Sequence, residues 1–460
     1  MKHRAIPALL LLLFLTTVAA ASTHPSGLPH STDNDDSCDI ALLPAATLLV
    51  PWFEVDLASP TGETTLVTVT NVSNQEQVAR VTMWTDRAYP VMTFNVYLTG
   101  YDVQSLNLYD IIARGQIAPP NGTGFDDAGS AEGQLSDPNP NVDHETCRNL
   151  PTTLNPVYVT LMQQAFTAGT TPAFGAHAAC TKIGGTHTHA SGYLTIDVVR
   201  NCTATQPQEA AYFNDEILFD NVLVGEYQQI NLGENLAQGS PAVHIRAIPE
   251  GGTAAQRAAF PQNYVVNAPQ TFYGRFMPAG APKFDSRQPL PSVYAVHWIA
   301  GGAGSFQTDL EIWRDAKTGT AAECPAYAAN GTITATELVR FDEEENFTVI
   351  PDSTWYDPPI ELDSVFAAAG RYTLDEEDIN FPAVDNGAVA GWMYLNLDER
   401  TTPGARQAWV VASQRAQGRF SVDSDAVALG NGCSPAVGES EATVTEGDAP
   451  SIGPAANINP

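Results

Sequence analysis

Between Thr64 and Asp86 the chain reads TTLVTVTNVSNQEQVARVTMWTD: apolar and polar residues alternate, pause at a polar insert, and alternate again. A period of two constrains a backbone strongly, because an extended strand puts residues i, i+2 and i+4 on one face and a helix does not. The pattern recurs. TFNVYL aligns Phe94, Val96 and Leu98, and YDVQSLNL follows the turn Thr99-Gly100. GYLTIDVV aligns Leu194, Ile196 and Val198, and EILFDNVLVGEYQQINL and AVHIRAI come next. SVYAVHWIAGG, TDLEIWRD, ENFTVIP, GAVAGWMYLNL, QAWVVAS and GRFSVDSDAVAL complete the set. Short strands punctuated by Gly, Pro, Asn and Asp, without helical crossovers, predict a mainly all-β protein of antiparallel sandwiches rather than a parallel sheet. NVSNQEQ reads as a hairpin connection, so Val81 and Met83 are expected to oppose Val67 and Val69 within a meander of half-buried strands. FNVYLTGYDVQSLNL and FDNVLVGEYQQINL share a strand–glycine–strand plan ending in Asn-Leu, which raises the suspicion of a repeat.

Helices are few. NPVYVTLMQQAFTAG has Asn155 as cap, Pro156 in the first turn, Gly169 at the end, and a stripe of Val157, Leu161, Met162, Ala165 and Phe166. LYDIIARG is a second, shorter helical stretch. The organisation expected along the chain is a signal peptide at 1–21, a flexible leader at 22–37 and a first sandwich domain at 38–250 with a helix-bearing insertion at about 117–190. A second sandwich domain follows at 251–433, and an acidic tail at 434–460.

The N-terminal MKHRAIPALLLLLFLTTVAAAS joins Lys2 and Arg4 to a short apolar run and the triplet Ala19, Ala20, Ala21, the pattern of a cleaved secretory signal. The run is broken by Thr16 and Thr17, and no later segment is long and apolar enough to span a bilayer. The formal charge is −31, two units more negative once Lys2 and Arg4 are removed. Such a surface repels phosphate backbones and anionic lipid, which disfavours nucleic acid and bare membrane as partners. Six cysteines in an exported chain fit disulfides. If Cys324 pairs with Cys433, then Cys38, Cys147, Cys180 and Cys202 have three possible connectivities.

Three constellations could bind something. His177, His187 and His189 in AFGAHAACTKIGGTHTHASG lie downstream of His144 and Cys147. Histidines at i and i+2 on a strand share a face, so two imidazoles could hold a transition metal with His177 as third ligand. DPNPNVDHE offers Asp137, Asn139, Asn141 and Asp143 as alternate oxygen ligands for calcium, although it lacks the central glycine and twelfth-position glutamate of an EF-hand loop. FDEEEN and LDEEDIN are further carboxylate clusters. Trp355 and Tyr356 in PDSTWYDPP, and Trp392 and Tyr394 turned outward from GWMYLNL, could stack on a sugar ring or a partner's apolar surface. In TDLEIWRD, Trp313 lies beside Glu311 on the face opposite Leu310 and Ile312. No HExxH, GxSxG or GxxxxGK[ST] occurs, which lowers the expectation of an enzyme.

The combination of ALLPAATLLVPWFEVDL, FNVYLTGYDVQSLNL, GYLTIDVVRNC, TFYGRF, TDLEIWRD, FDEEEN and QGRFSVDSDAVAL resembles a group of secreted bacterial proteins to which no activity is attached. The Thr64–Asp86 pattern is similar to the immunoglobulin-like modules of bacterial surface proteins. The resemblance implies a shared sandwich architecture and no catalytic residue. The expectation is therefore a secreted, non-catalytic binding or envelope protein whose partner is an extracellular protein or glycan, with calcium as the one cofactor suggested. The alternative is a metal-assisted extracellular hydrolase built on His177, His187 and His189.

Overall fold

The computed structural model describes residues 40–117, 136–148, 150–170, 183–207, 209, 211–247, 287–301, 306–315, 337–344, 347–350, 369–374, 389–397, 407–416 and 420–429. Cys38, His177, Cys180, Cys324, Trp355, Tyr356 and Cys433 lie outside them, as do the expected signal, leader and tail.

The fold is mainly β and sandwich-like, and every strand pair is antiparallel. In the first half, β1 (Thr47–Val55), β3 (Gln77–Thr85), β4 (Pro90–Leu98), β6 (Ala190–Val199) and β9 (Val243–Ile245) form one sheet in the order β4-β3-β6-β1-β9. β2 (Glu63–Asn71), β5 (Val103–Asn107), β7 (Leu223–Asn231) and β8 (Leu236–Pro241) form another in the order β5-β2-β7-β8. β2 follows the predicted alternation, buried at odd positions and half-buried at even ones. β1, β3 and β6 do not, for they are buried along almost their whole length.

That difference locates the core. One face of the β3–β6–β1 sheet carries Val81, Met83, Leu194, Ile196 and Leu48, which join Val67, Val69, Leu106 and Tyr227 of the other sheet in one apolar cluster. The opposite face carries Arg80, Thr82 and Trp84 beside Asp197, Thr195 and Tyr193, with Thr47 next to Asp197. These polar groups alternate as a solvent face would, yet all are buried. Trp84 Nε1 donates to Thr195 Oγ1 at 2.9 Å, Thr47 Oγ1 to Asp197 at 2.6 Å, and Arg80 to loop carbonyls beyond β6, which is what burial of polar atoms requires.

The hairpin reading of NVSNQEQ is corrected. β2 and β3 belong to different sheets, so the insert is a corner, and Val67 and Val69 share an apolar cluster with Val81 and Met83 instead of a ladder. Asn71, fully buried, builds the corner: its Nδ2 donates to the carbonyls of Gln75 (2.7 Å) and Thr99 (2.9 Å), and its Oδ1 accepts from Ser73 N and Oγ. The meander fails for the same reason at Thr99-Gly100, where the chain passes from β4 to β5 in the other sheet. The suspected repeat fails too. FNVYLTGYDVQSLNL spans two strands, whereas VLVGEYQQINL is the single strand β7 with Gly225 inside it. A Cβ at Gly225 would come within 2.7 Å of Leu48 Cδ1 and 2.8 Å of Thr68 O, so the glycine there serves close packing and not a turn.

The helices form where their caps lie. α1 (Leu108–Arg114) is capped by Asn107, and α2 (Pro156–Ala168) by Asn155, whose side chain accepts from Val157 N at 2.9 Å. Gly115 and Gly169 end them in the left-handed region. α2 buries Val159, Met162, Ala165 and Phe166, and Phe166 meets Phe53 edge-on at 5.3 Å. Val157, expected in the buried stripe, is exposed because at 3.6 residues per turn it lies on the face opposite the buried Val159 and Phe166.

The second half has two more sheets among the described residues. β10 (Val293–Ile299), β12 (Glu337–Asp342), β13 (Phe347–Ile350), β15 (Ala390–Asn396) and β18 (Val427–Ala428) follow the order β13-β12-β15-β10-β18. β11 (Gln307–Arg314), β14 (Ala369–Leu374), β16 (Ala408–Ala416) and β17 (Phe420–Asp425) follow the order β14-β11-β16-β17. Their shared core holds Tyr294, Val296, Trp298, Leu310, Ile312, Met393, Leu395 and Val410. The other face of β11 turns to the first half: Trp313 meets Tyr193 edge-on at 6.1 Å and belongs to the first apolar cluster, together with Ala369.

Among the described residues one disulfide joins Cys147, in a 3-10 turn at His144–Cys147, to Cys202 beyond β6, with 5.0 Å between Cα atoms. It is one of the pairings that the expected connectivities allowed.

Candidate functional site

The richest grouping of titratable side chains lies where the C-terminal end of β1, the start of β6 and the turn after β3 come together, against β11 and β14. The turn is shaped by Thr85, whose Oγ1 accepts from Arg87 N and Tyr89 N and donates to Ile183 O. Ala88 completes it at φ 60°, a left-handed conformation that costs a non-glycine residue roughly 1–2 kcal/mol. The turn drives Asp86 inward to 2 % exposure, where its carboxylate accepts from Gly185 N at 2.9 Å and lies 3.2 Å from His187 Nε2. A Cβ at Gly185 would fall 2.7 Å from Asp86 Oδ2, so a side chain there would displace the carboxylate from its present position. His187 in turn meets Trp52 edge-on at 6.1 Å. Burial pushes the Arg87 guanidinium below its ordinary value, with Asp86 opposing that shift.

Two residues on, His189 Nδ1 lies 2.7 Å from Glu54 Oε1. The other oxygen of Glu54 accepts from Arg371 Nη1 at 3.3 Å, and Arg371 Nη2 donates to Asp309 Oδ2 at 2.9 Å. Asp309 also receives Thr373 Oγ1 at 2.6 Å and is ion-paired to Arg415 at 3.0 Å. The result is an alternating chain, His189, Glu54, Arg371, Asp309, Arg415, running from the first half into the second. Burial opposes the charge on Arg371, but Asp309, Glu311 and Glu54 outweigh it and hold the guanidinium more firmly protonated than usual. Beside the chain, Glu311 on β11 accepts from Tyr227 Oη at 3.0 Å and from Gln229 Nε2.

A second buried network holds the far end of the same sheet face. Asp197, Arg287 and Arg80 are fully buried. Asp197 accepts from Thr47 Oγ1 (2.6 Å), Arg287 Nη1 (3.0 Å) and Tyr212 Oη, which a single π-type turn at Tyr212–Glu216 presents. Arg80 donates to the carbonyls of Thr205 and Asn201, each at 2.9 Å, and lies over the Tyr212 ring. Burial, then the Asp197 charge, push the Tyr212 phenol well above its ordinary value, so it donates and does not ionise.

His187 and His189 face different carboxylates, Asp86 and Glu54, instead of one shared point. Among the described residues no group of three or more His, Cys, Asp or Glu side chains could hold a metal ion. A carboxylate-held imidazole can act as a base only on a nearby nucleophile. Ser191, the hydroxyl closest in sequence, donates to the backbone carbonyl of His189 at 3.2 Å and not to its ring.

The oxygen-rich stretch is used locally. Asp137 accepts from Asn74 Nδ2 at 2.7 Å; Asn139 is buried, donates to Glu76 O and accepts from Asn141 N; Asp143 is exposed, and its backbone bonds Arg200 and Thr146. In FDEEEN, Asp342 accepts from Glu344 N at 2.8 Å as a turn. Tyr394 does lie with Trp392 on the face opposite Met393, Leu395 and Leu397, but that face is covered: Tyr394 is 1 % exposed and packs with Val293 and Val339. Trp392 is half-buried and spends one ring face on Phe341, stacked at 4.3 Å and 4°. Trp313 and Glu311 do lie together on one face, as the alternation predicts, but that face is covered.

Sequence reasoning missed Glu54, Asp309, Glu311 and Arg371 at one contact and Asp197 in the second network. The available signal was acidic residues inside otherwise apolar strands, as in PWFEV and TDLEIW. No family model, no curated protein and no solved structure matches this chain.

Proposed function

We propose that this is an exported, non-catalytic protein that works outside the cytoplasm as a binding or structural component, with an extracellular protein or a glycan as partner. One observation carries the reading: among the described residues, the His189 imidazole and the Glu54 and Asp309 carboxylates are held in one chain with Arg371 that joins strands and sheets. Side chains so committed position a scaffold. They leave recognition to the loops at sheet ends, which vary without disturbing a core. Export is supported by the charged, apolar and small-residue order of the first 21 residues and by the Cys147–Cys202 bond, which suits an oxidising compartment. Among the described residues no helix is long and apolar enough to cross a membrane.

The test uses the purified mature chain. Glycan and protein arrays should return saturable binding that survives chelation, and a panel of ester, peptide, phosphoester and glycoside substrates should return no turnover with or without added zinc or calcium. Metal-dependent hydrolysis abolished by His187→Ala with His189→Ala would overturn the reading.

A further inference from the structure

Glu63, at the start of β2, is 8 % exposed; its Oε2 receives Asn231 Nδ2 at 3.3 Å, while its Oε1 has no hydrogen-bond partner. It stands at the contact already described. It pairs with Asn231 on β7, the strand whose alternate residues Tyr227 and Gln229 bond Glu311 of β11, and the charges of Arg371, Glu54 and His189 act on it. Behind Arg371 lie Asp309 and Glu311 from β11 and Arg415 from β16, and Tyr227 from β7 donates to Glu311. Fully ionised, this group sets four carboxylates against two guanidiniums and one imidazole. A buried excess of negative charge is costly, and the least costly remedy is a proton.

We propose that the contact between β1–β2 and β11–β14 is proton-coupled: closed, it holds a proton on Glu63, and that proton is released when the contact opens. The electrostatics support the geometry. Burial raises the Glu63 carboxyl above the ordinary 4.5; Arg371 opposes this, Glu54 adds to it, and Asn231 and His189 oppose it. A carboxyl raised in the folded state stabilises below its raised value and is lost as pH climbs through it. The contact is therefore firmest below the raised Glu63 value and loosens as pH rises through it.

Hydrogen exchange on the full chain, corrected for the intrinsic pH dependence of exchange, tests this. Peptides covering 307–315 and 369–374 should lose protection as pH rises through the Glu63 titration, by up to roughly tenfold per pH unit for one proton. A peptide covering 390–397 should not change. Glu63→Gln should abolish the dependence. A flat wild-type profile, or an equal slope in Glu63→Gln, overturns the proposal. Should the variant fail to fold, infrared spectroscopy of wild-type protein with isotope-labelled glutamate decides the matter. A protonated glutamate carboxyl must persist just above the pH range in which exposed glutamates ionise, and its absence overturns the proposal.

Discussion

Replacing Trp313 by alanine separates two accounts of this molecule. If the outer face of β11 were a solvent or ligand face, the change would cost little. Trp313 is instead 2 % exposed and packs on Tyr193, which is itself stacked on Trp84 at 5.7 Å. A buried tryptophan removes about 150–250 Å² from water, which at ~25 cal/mol per Å² corresponds to about 4–6 kcal/mol, an upper bound because unfolded chains also bury surface. Cavity-forming Trp→Ala changes in other proteins cost about 3–5 kcal/mol, in agreement. The expected loss is therefore about 3–5 kcal/mol by urea denaturation, with Trp313→Phe losing less because an aromatic edge remains. Location discriminates further. Exchange in 190–199, the strand of Tyr193, should accelerate in Trp313→Ala, whereas Trp298→Ala, which opens the core of the second half, should leave 190–199 unchanged. A loss under about 1 kcal/mol, or unaltered exchange in 190–199, would refute the packing of β11 on the first half.

The remaining predictions concern buried charge and the disulfide. Arg287→Met strands the Asp197 carboxylate and should cost about 3–5 kcal/mol, most of it regained by adding Asp197→Asn; equal losses in single and double variants, by urea denaturation, would show that the pair is not coupled. Cys147→Ser with Cys202→Ser opens a bridge between residues 55 apart and should cost about 4 kcal/mol by the chain-entropy relation. An unchanged Tm on reduction of the wild type would contradict this.

Much of the fold was legible because period-two hydrophobicity and the caps are local properties. Asn155, Pro156 and Gly169 mark α2 where it forms, and β2 alternates as written. Partnership between sheets was not legible. NVSNQEQ has hairpin chemistry, yet Asn71 turns it into a corner through bonds to Gln75 and to Thr99, a residue in the next connection. The larger failure was one of sign. On β3 and β6 the polar positions Arg80, Thr82, Thr195 and Asp197 look solvent-facing, and nothing within those strands reveals that Arg287, Tyr212 and Trp313, distant in the chain, close over that face. Period-two patterning reports which residues share a face but not what covers it. The same limit hid the Glu54–Arg371 chain, whose members are separated by 317 positions.

A double-mutant cycle on Glu54→Gln and Arg371→Met tests most directly whether these charges stitch the sheets together. The pair is only 21 % and 14 % exposed and continues into Asp309, so its coupling should exceed about 1 kcal/mol, above the usual worth of a surface pair. Coupling indistinguishable from zero, with each single variant as stable as wild type, would contradict the account.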